Sequence, residues 1–149
     1  MSAYLSTELG GSANQTAAPV GYKPRATVYQ ARLKRLRATF TYASQVFGTD
    51  TLVVGNLPAG ATFAFGVLTS DTSSGSATLA IGTAASTAKY KAAAAFTTTD
   101  LPTLFGKTAV VGAADPALTA EEQVIVTIGT ANLPASGVLV VDFYYSMPQ

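Results

Sequence analysis

Six basic side chains, Lys23, Arg25, Arg32, Lys34, Arg35 and Arg37, fall within fifteen positions of a 149-residue chain. Such a cluster has two chemistries open to it. It can neutralise phosphates without sequence preference, or its arginines can grip carboxylates bidentately at a protein contact. Little else in the sequence could do chemistry. There is no His and no Cys, which excludes a Ser-His-Asp triad, a Cys-His pair, the usual zinc ligands, a His or Cys haem ligand and a redox dithiol. Gly106-Lys107-Thr108 matches the end of a phosphate-binding loop, but the glycine needed five residues earlier is Leu101. Asp71-Thr-Ser-Ser-Gly75 gathers oxygens as a calcium loop would, yet no acid closes it, so it reads as a turn. Glu121 and Glu122 are adjacent, and neighbours on a strand point to opposite faces, so they read as a solvated turn rather than an acid-base pair. Asn14-Gln15-Thr16 fits a glycosylation acceptor, which matters only behind a secretory signal. No catalytic residue, cofactor or metal is expected.

The basic cluster belongs to one half of an unequal charge distribution. Its six bases face only Glu8 within residues 1–38, giving that segment +5. The rest sets Lys89, Lys91 and Lys107 against Asp50, Asp71, Asp100, Asp115, Glu121, Glu122 and Asp142, giving −4. Residues 8–27 are rich in Gly, Ser, Ala, Thr and Pro without sustained periodicity, which predicts an extended segment ordered only where a partner holds it. The expected organisation is therefore an extended basic arm, residues 1–37, on a single domain, residues 38–149. A third reading of the cluster is a solvated basic face, or an internal partner for Asp142 and other acids of the body. The whole chain is only 11% charged and holds 27 Ala and 21 Thr. A surface so poor in charge suggests that part of it is covered by a partner. The start has neither a basic cluster nor an apolar run, so no secretory signal is expected. The uncharged stretch 51–70 is broken by Gly55, Asn56, Pro58 and Gly60, which predicts two strands and a turn rather than a membrane span.

The body must position whatever the arm presents, and its pattern is of period two. Ala38, Phe40, Tyr42 and Val46 align on one face of a strand over 38–46. Further strands are expected at 51–55, 61–69, 76–82, 89–96, 104–111, 123–129 and 138–145, separated by turn clusters such as 71–75, 97–102 and 112–116. About eight short strands with no helix-length segment predict an all-β antiparallel sandwich or jelly roll. Tyr29, Leu33, Leu36 and Phe40 also stand at helical spacing, which offers a short helix over 28–37 as an alternative. Val138-Leu-Val-Val-Asp-Phe-Tyr-Tyr145 is apolar on both faces apart from Asp142, as in a strand that is central, covered or part of a subunit interface. The segments Gly55-Asn-Leu-Pro-Ala-Gly60 and Gly129-Thr-Ala-Asn-Leu-Pro-Ala-Ser-Gly137 echo each other and read as a recurrent hairpin turn.

The succession Arg32-Leu-Lys-Arg-Leu-Arg-Ala-Thr-Phe, Leu57-Pro-Ala-Gly-Ala-Thr-Phe, Ser76-Ala-Thr-Leu-Ala-Ile-Gly-Thr83, Lys89-Tyr-Lys-Ala-Ala-Ala and Leu118-Thr-Ala-Glu-Glu-Gln-Val-Ile-Val-Thr-Ile-Gly129, closed by an aliphatic-aromatic strand, resembles small structural proteins of tailed-phage and phage-like particles. The resemblance spans roughly residues 32–145 and is to head decoration, spike-base or minor capsid types. It implies a jelly-roll body, an extended N-terminal arm and a non-enzymatic protein with no catalytic residue. It also implies residence in the virion, on the phage head, after synthesis in the host cytoplasm. The implied partners are the major capsid protein or other virion subunits and further copies of the chain, in a trimer or ring; packaged nucleic acid is a lesser candidate. Lys23, Arg25, Arg32, Lys34, Arg35 and Arg37 are then the residues expected to meet the capsid or a neighbouring subunit. The alternative within the resemblance is a head spike, tail fibre or neck component acting as a receptor- or carbohydrate-binding module.

Overall fold

The computed structural model describes residues 32–106 and 116–147. These form eight strands: β1 (Arg32–Thr41), β2 (Thr51–Leu57), β3 (Thr62–Ser70), β4 (Thr78–Gly82), β5 (Lys91–Ala95), β6 (Thr103–Phe105), β7 (Glu122–Gly129) and β8 (Val138–Met147). Two four-stranded antiparallel sheets result, ordered β1-β8-β3-β6 and β2-β7-β4-β5. Every connection except β4 to β5 passes from one sheet to the other. This is the strand order of a jelly roll, in which Greek-key crossings wrap two sheets around one core.

The period-two pattern of the sequence is the reason. Leu52 and Val54 of β2, Leu79 and Ile81 of β4, Val124, Val126 and Ile128 of β7, and Leu139, Val141 and Phe143 of β8 all turn inward and are buried. Phe63 sits against Phe143 and Tyr90, with ring centroids 4.4 and 4.7 Å away, and Tyr90 meets Phe143 edge-on at 4.9 Å. Tyr90 precedes β5, so this aromatic group ties the second sheet's edge to the first sheet. Phe105 closes the other flank by lying over Gly66, where a β-carbon would stand 2.0 Å from its ring. Only glycine leaves room for that ring.

The echoed segments are not hairpins within one sheet. Each carries the chain from the second sheet to the first, β2 to β3 and β7 to β8, at opposite ends of the sandwich. In both the leucine of Asn-Leu-Pro-Ala, Leu57 or Leu133, is buried as a plug in the end of the core. The first strand also differs from expectation. It spans Arg32–Thr41 rather than 38–46, because the ten-residue β8 offers a partner along its full length, from Arg32↔Met147 to Thr41↔Val138. Ser44, in the left-handed region at φ 57°, has turned the chain away, and Val46 is exposed. The helical alternative is excluded for residues 32–37, since Leu33 is exposed while Leu36, Ala38 and Phe40 pack against the core. Residues 32–37, assigned by sequence to the arm, are thus the first six positions of β1. Residues 1–31 of the arm, and 107–111 of the strand expected at 104–111, lie outside the described residues.

Candidate interaction surface

The four described members of the basic cluster stand on β1, at the edge of the first sheet, and all four are exposed. Lys23 and Arg25 lie outside the described residues. Arg37 is directly opposite Asp142 in the β1–β8 register. Its Nε and one terminal nitrogen donate to the two carboxylate oxygens at 2.6 Å each. This fork-to-fork pair is the internal-partner reading of the cluster, realised for one arginine. The guanidinium holds Asp142 below the usual carboxylate range, against the opposing push of burial, and the carboxylate in turn raises Arg37. Arg35 reaches the same carboxylate only at 3.9 Å. Arg32 and Lys34 have no acidic partner among the described residues.

Outward-facing residues of the neighbouring strands extend this edge into a surface. Arg35 is opposite Tyr144, and Tyr144 is opposite Phe65 of β3. The Tyr144 and Phe65 rings stack at 4.7 Å, with an interplanar angle of 20°. One row over, Arg37, Asp142, Val67 and Leu104 cross all four strands. Leu104 is 72% exposed and Leu33, on β1, is 52% exposed. The outer face thus presents aromatic and aliphatic side chains beside Arg35, which shares the Asp142 carboxylate with Arg37, while Arg32 and Lys34 fall on the other face of β1 with Leu36. The sequence reading singled out the cations and missed Leu33, Phe65, Val67, Leu104 and Tyr144. The one signal available was the two-faced apolarity of β8. It is indeed a central strand, with its odd-numbered residues Leu139 to Phe143 in the core and Val138, Val140 and Tyr144 on the other face, half-buried.

The remaining candidates have structural duties. Asp71 accepts from the Val138 amide of β8 at 2.7 Å, and Ser73 accepts from the Gly75 amide at 3.1 Å, so the 71–75 loop is held by a tie to β8 and by a contact of its own turn. Among the described residues no group of three potential metal ligands converges. Glu121 accepts from Asn56 at 2.7 Å, whereas Glu122 accepts from the Tyr90 hydroxyl and from Lys89. The two carboxylates do turn apart, but Glu122 opens β7 and is half-buried rather than part of a solvated turn. Burial and that carboxylate push the Tyr90 hydroxyl far above its ordinary value, so it remains a donor. Lys91 is half-buried with its amine on the Leu79 and Ala92 carbonyls, and burial lowers its pKa. Gly106 is described, but Lys107 and Thr108 are not. No helix among the described residues is long and apolar enough to cross a membrane.

The jelly roll is similar to chains of two solved phage particles. One is in the cyanophage Pam1 capsid asymmetric unit, with a TM-score of 0.65 and 21% identity over 92% of this chain and 96% of that one. The other is in the acid-stable capsid of Helicobacter pylori bacteriophage KHP30, with a TM-score of 0.50 and 16% identity over 78% of this chain and 89% of that one. At such identities the likeness is one of fold. No protein-family model matches the sequence, and no curated protein matches it.

Proposed function

We propose that this chain is a non-enzymatic structural protein of a phage virion, bound to the head as a decoration or minor capsid protein through its N-terminal arm. The observation that carries the reading is the match along nearly the whole of both chains to a component of a phage capsid. The described surface agrees with it. Its features are an edge strand of cations, an adjoining apolar face and a rigid sandwich behind them, which is an arrangement for docking rather than turnover. In this reading Lys23 and Arg25 of the arm, with Arg32, Lys34 and Arg35 at the start of β1, meet the shell protein or a neighbouring subunit. The partners are the shell protein and other virion subunits, including further copies of the chain. Arg37 is committed to Asp142, so its role is to hold β1 in register.

The test is to purify particles, separate heads from tails, and count copies of the chain by quantitative mass spectrometry. Hundreds of copies on heads are expected. A few rings' worth at a vertex or on tails would instead assign it to a spike, neck or fibre, the receptor-binding alternative. Absence from particles would overturn the virion reading. Deleting residues 2–27 is expected to leave the body folded and to abolish attachment, and retained attachment would refute the arm as anchor.

A further inference from the structure

The first sheet ends in two edges of unlike character. On the β1 side the exposed residues alternate, Leu33 and Arg35 on the outer face and Arg32 and Lys34 on the face shared with Leu36. Among the described residues the one acid within reach, Asp142, is already gripped by Arg37. On the β6 side residues 92–106 contain no base. They present Leu101, 57% exposed, and Leu104 beside Asp100, whose carboxylate has no partner among the described residues. Asp100 is fixed in the left-handed region at φ 55°, its amide bonded to the Ser70 carbonyl at 2.8 Å, which brings it close to Asp71. An edge strand leaves a row of backbone donors and acceptors unpaired, and natural sheets cover or charge such edges. Here one edge is charged positive, the other is acidic and apolar, and both carry an exposed leucine.

We infer that the β6 edge of one copy docks on the β1 edge of a second copy, with Asp100 facing the cations that flank that edge on both faces, Arg32 and Lys34 on one and Arg35 on the other, and Leu104 meeting Leu33, both of which lie on the outer face. Charge chooses this occupant over symmetric pairing. Two β1 edges brought together would oppose cation to cation, and two β6 edges would oppose Asp100 to Asp100, which disfavours both. Because the two edges lie on opposite sides of one sheet, the contact is head-to-tail and generates a ring if its rotation closes, or a chain if it does not. The contact does not depend on the virion reading, since it needs only this chain.

Sedimentation velocity of the purified full-length protein tests it. At low salt the wild type should form species larger than the monomer, and half-molar salt should weaken that association about tenfold. A β1-edge variant carrying Arg32→Asp and Lys34→Asp should sediment as a monomer. So should a β6-edge variant carrying Asp100→Asn and Leu104→Ser, which leaves that edge neutral and so unable to pair with the acidic β1 edge of the other variant. Both should keep the wild-type circular dichroism, because the altered side chains are exposed. Mixed together, the two should form a 1:1 dimer that grows no further, each contributing its one intact edge. A wild type that stays monomeric to roughly 100 μM, far above the micromolar range of ordinary specific contacts, would overturn the inference. Variants that assemble like the wild type, or a mixture that stays monomeric, would overturn it too. None of these outcomes alters the count of copies on particles, so either proposal can fail without the other.

Discussion

The two sheets of the sandwich are built from different residues. The four strands of the first contain Phe40, Phe63, Phe65, Phe105, Phe143, Tyr144 and Tyr145, together with Arg32, Lys34, Arg35, Arg37 and Asp142. The strands of the second contain no aromatic residue, and their only charges are Lys91 and Glu122. Inside, the difference is complementary, since broad rings from one sheet pack on Val, Leu and Ile from the other. Outside, it separates duties. The first sheet shows an aromatic and cationic face with room for a partner, while the second shows threonine, alanine and valine. On the docking proposed above, a jelly roll can keep its recognition chemistry on one sheet and leave the other as scaffold.

That division can be broken at the core. Phe143 is fully buried, at the centre of the aromatic group on β8. Phe143→Ala should cost about 3–5 kcal/mol in chemical unfolding, whereas Ile81→Val on the second sheet should cost about 1 kcal/mol. A loss below about 1 kcal/mol for Phe143→Ala would mean that the aromatic group does not hold the core. Gly66→Ala drives a methyl group into the Phe105 ring and should cost about 1–3 kcal/mol through overpacking. It should also loosen β6, which hydrogen exchange in residues 103–105 would report. Unchanged exchange would mean that Phe105 is not what pins that edge.

The ion pair on the first sheet gives the comparison a pH dependence. Asp142 has its folded pKa depressed below the ordinary 3.8 by the Arg37 hydrogen bonds. The pair's contribution is therefore complete above the unfolded value and is lost as pH falls through the folded one. The melting temperature of Asp142→Asn should lie below that of the wild type at neutral pH. The gap should narrow below about pH 4 and vanish once the wild-type carboxylate is protonated. A gap that persists at low pH would assign the effect to packing rather than to the charge.

Much of this architecture was legible in the residues. Alternation of apolar and polar side chains placed β2, β3, β4, β7 and β8 within a few positions of where they lie, because each has one face in the core. It failed where a strand's position is set by its partner. β1 begins at Arg32, ahead of the apolar alternation, because β8 is long enough to pair with it there. β5 is shorter than the 89–96 expected because Tyr90 and Phe96 serve the core from outside the strand, and its alanines are exposed among the described residues. The cations of the interaction surface were visible as a cluster, but that Arg37 is engaged and Lys34 has no acidic partner among the described residues depends on which residue faces each across the sheet. Leu104 and Phe65 were invisible as surface residues, since nothing in an apolar side chain says which sheet will cover it.

The smallest expected effect on stability is the sharpest test of the division of labour. Leu104 on the first sheet and Val53 on the second are both exposed apolar residues, 72% and 49%. Leu104→Ser and Val53→Ser should each change folding stability by no more than about 0.5 kcal/mol, since neither side chain fills the core. If the two outer faces were equivalent, both changes would be equally silent in association. With recognition confined to the first sheet, only Leu104→Ser should shift the sedimentation of the full-length chain towards the monomer. Val53→Ser should leave it unchanged. A matching shift from Val53→Ser would show that the aliphatic face is also occupied and that the sandwich docks through both sheets.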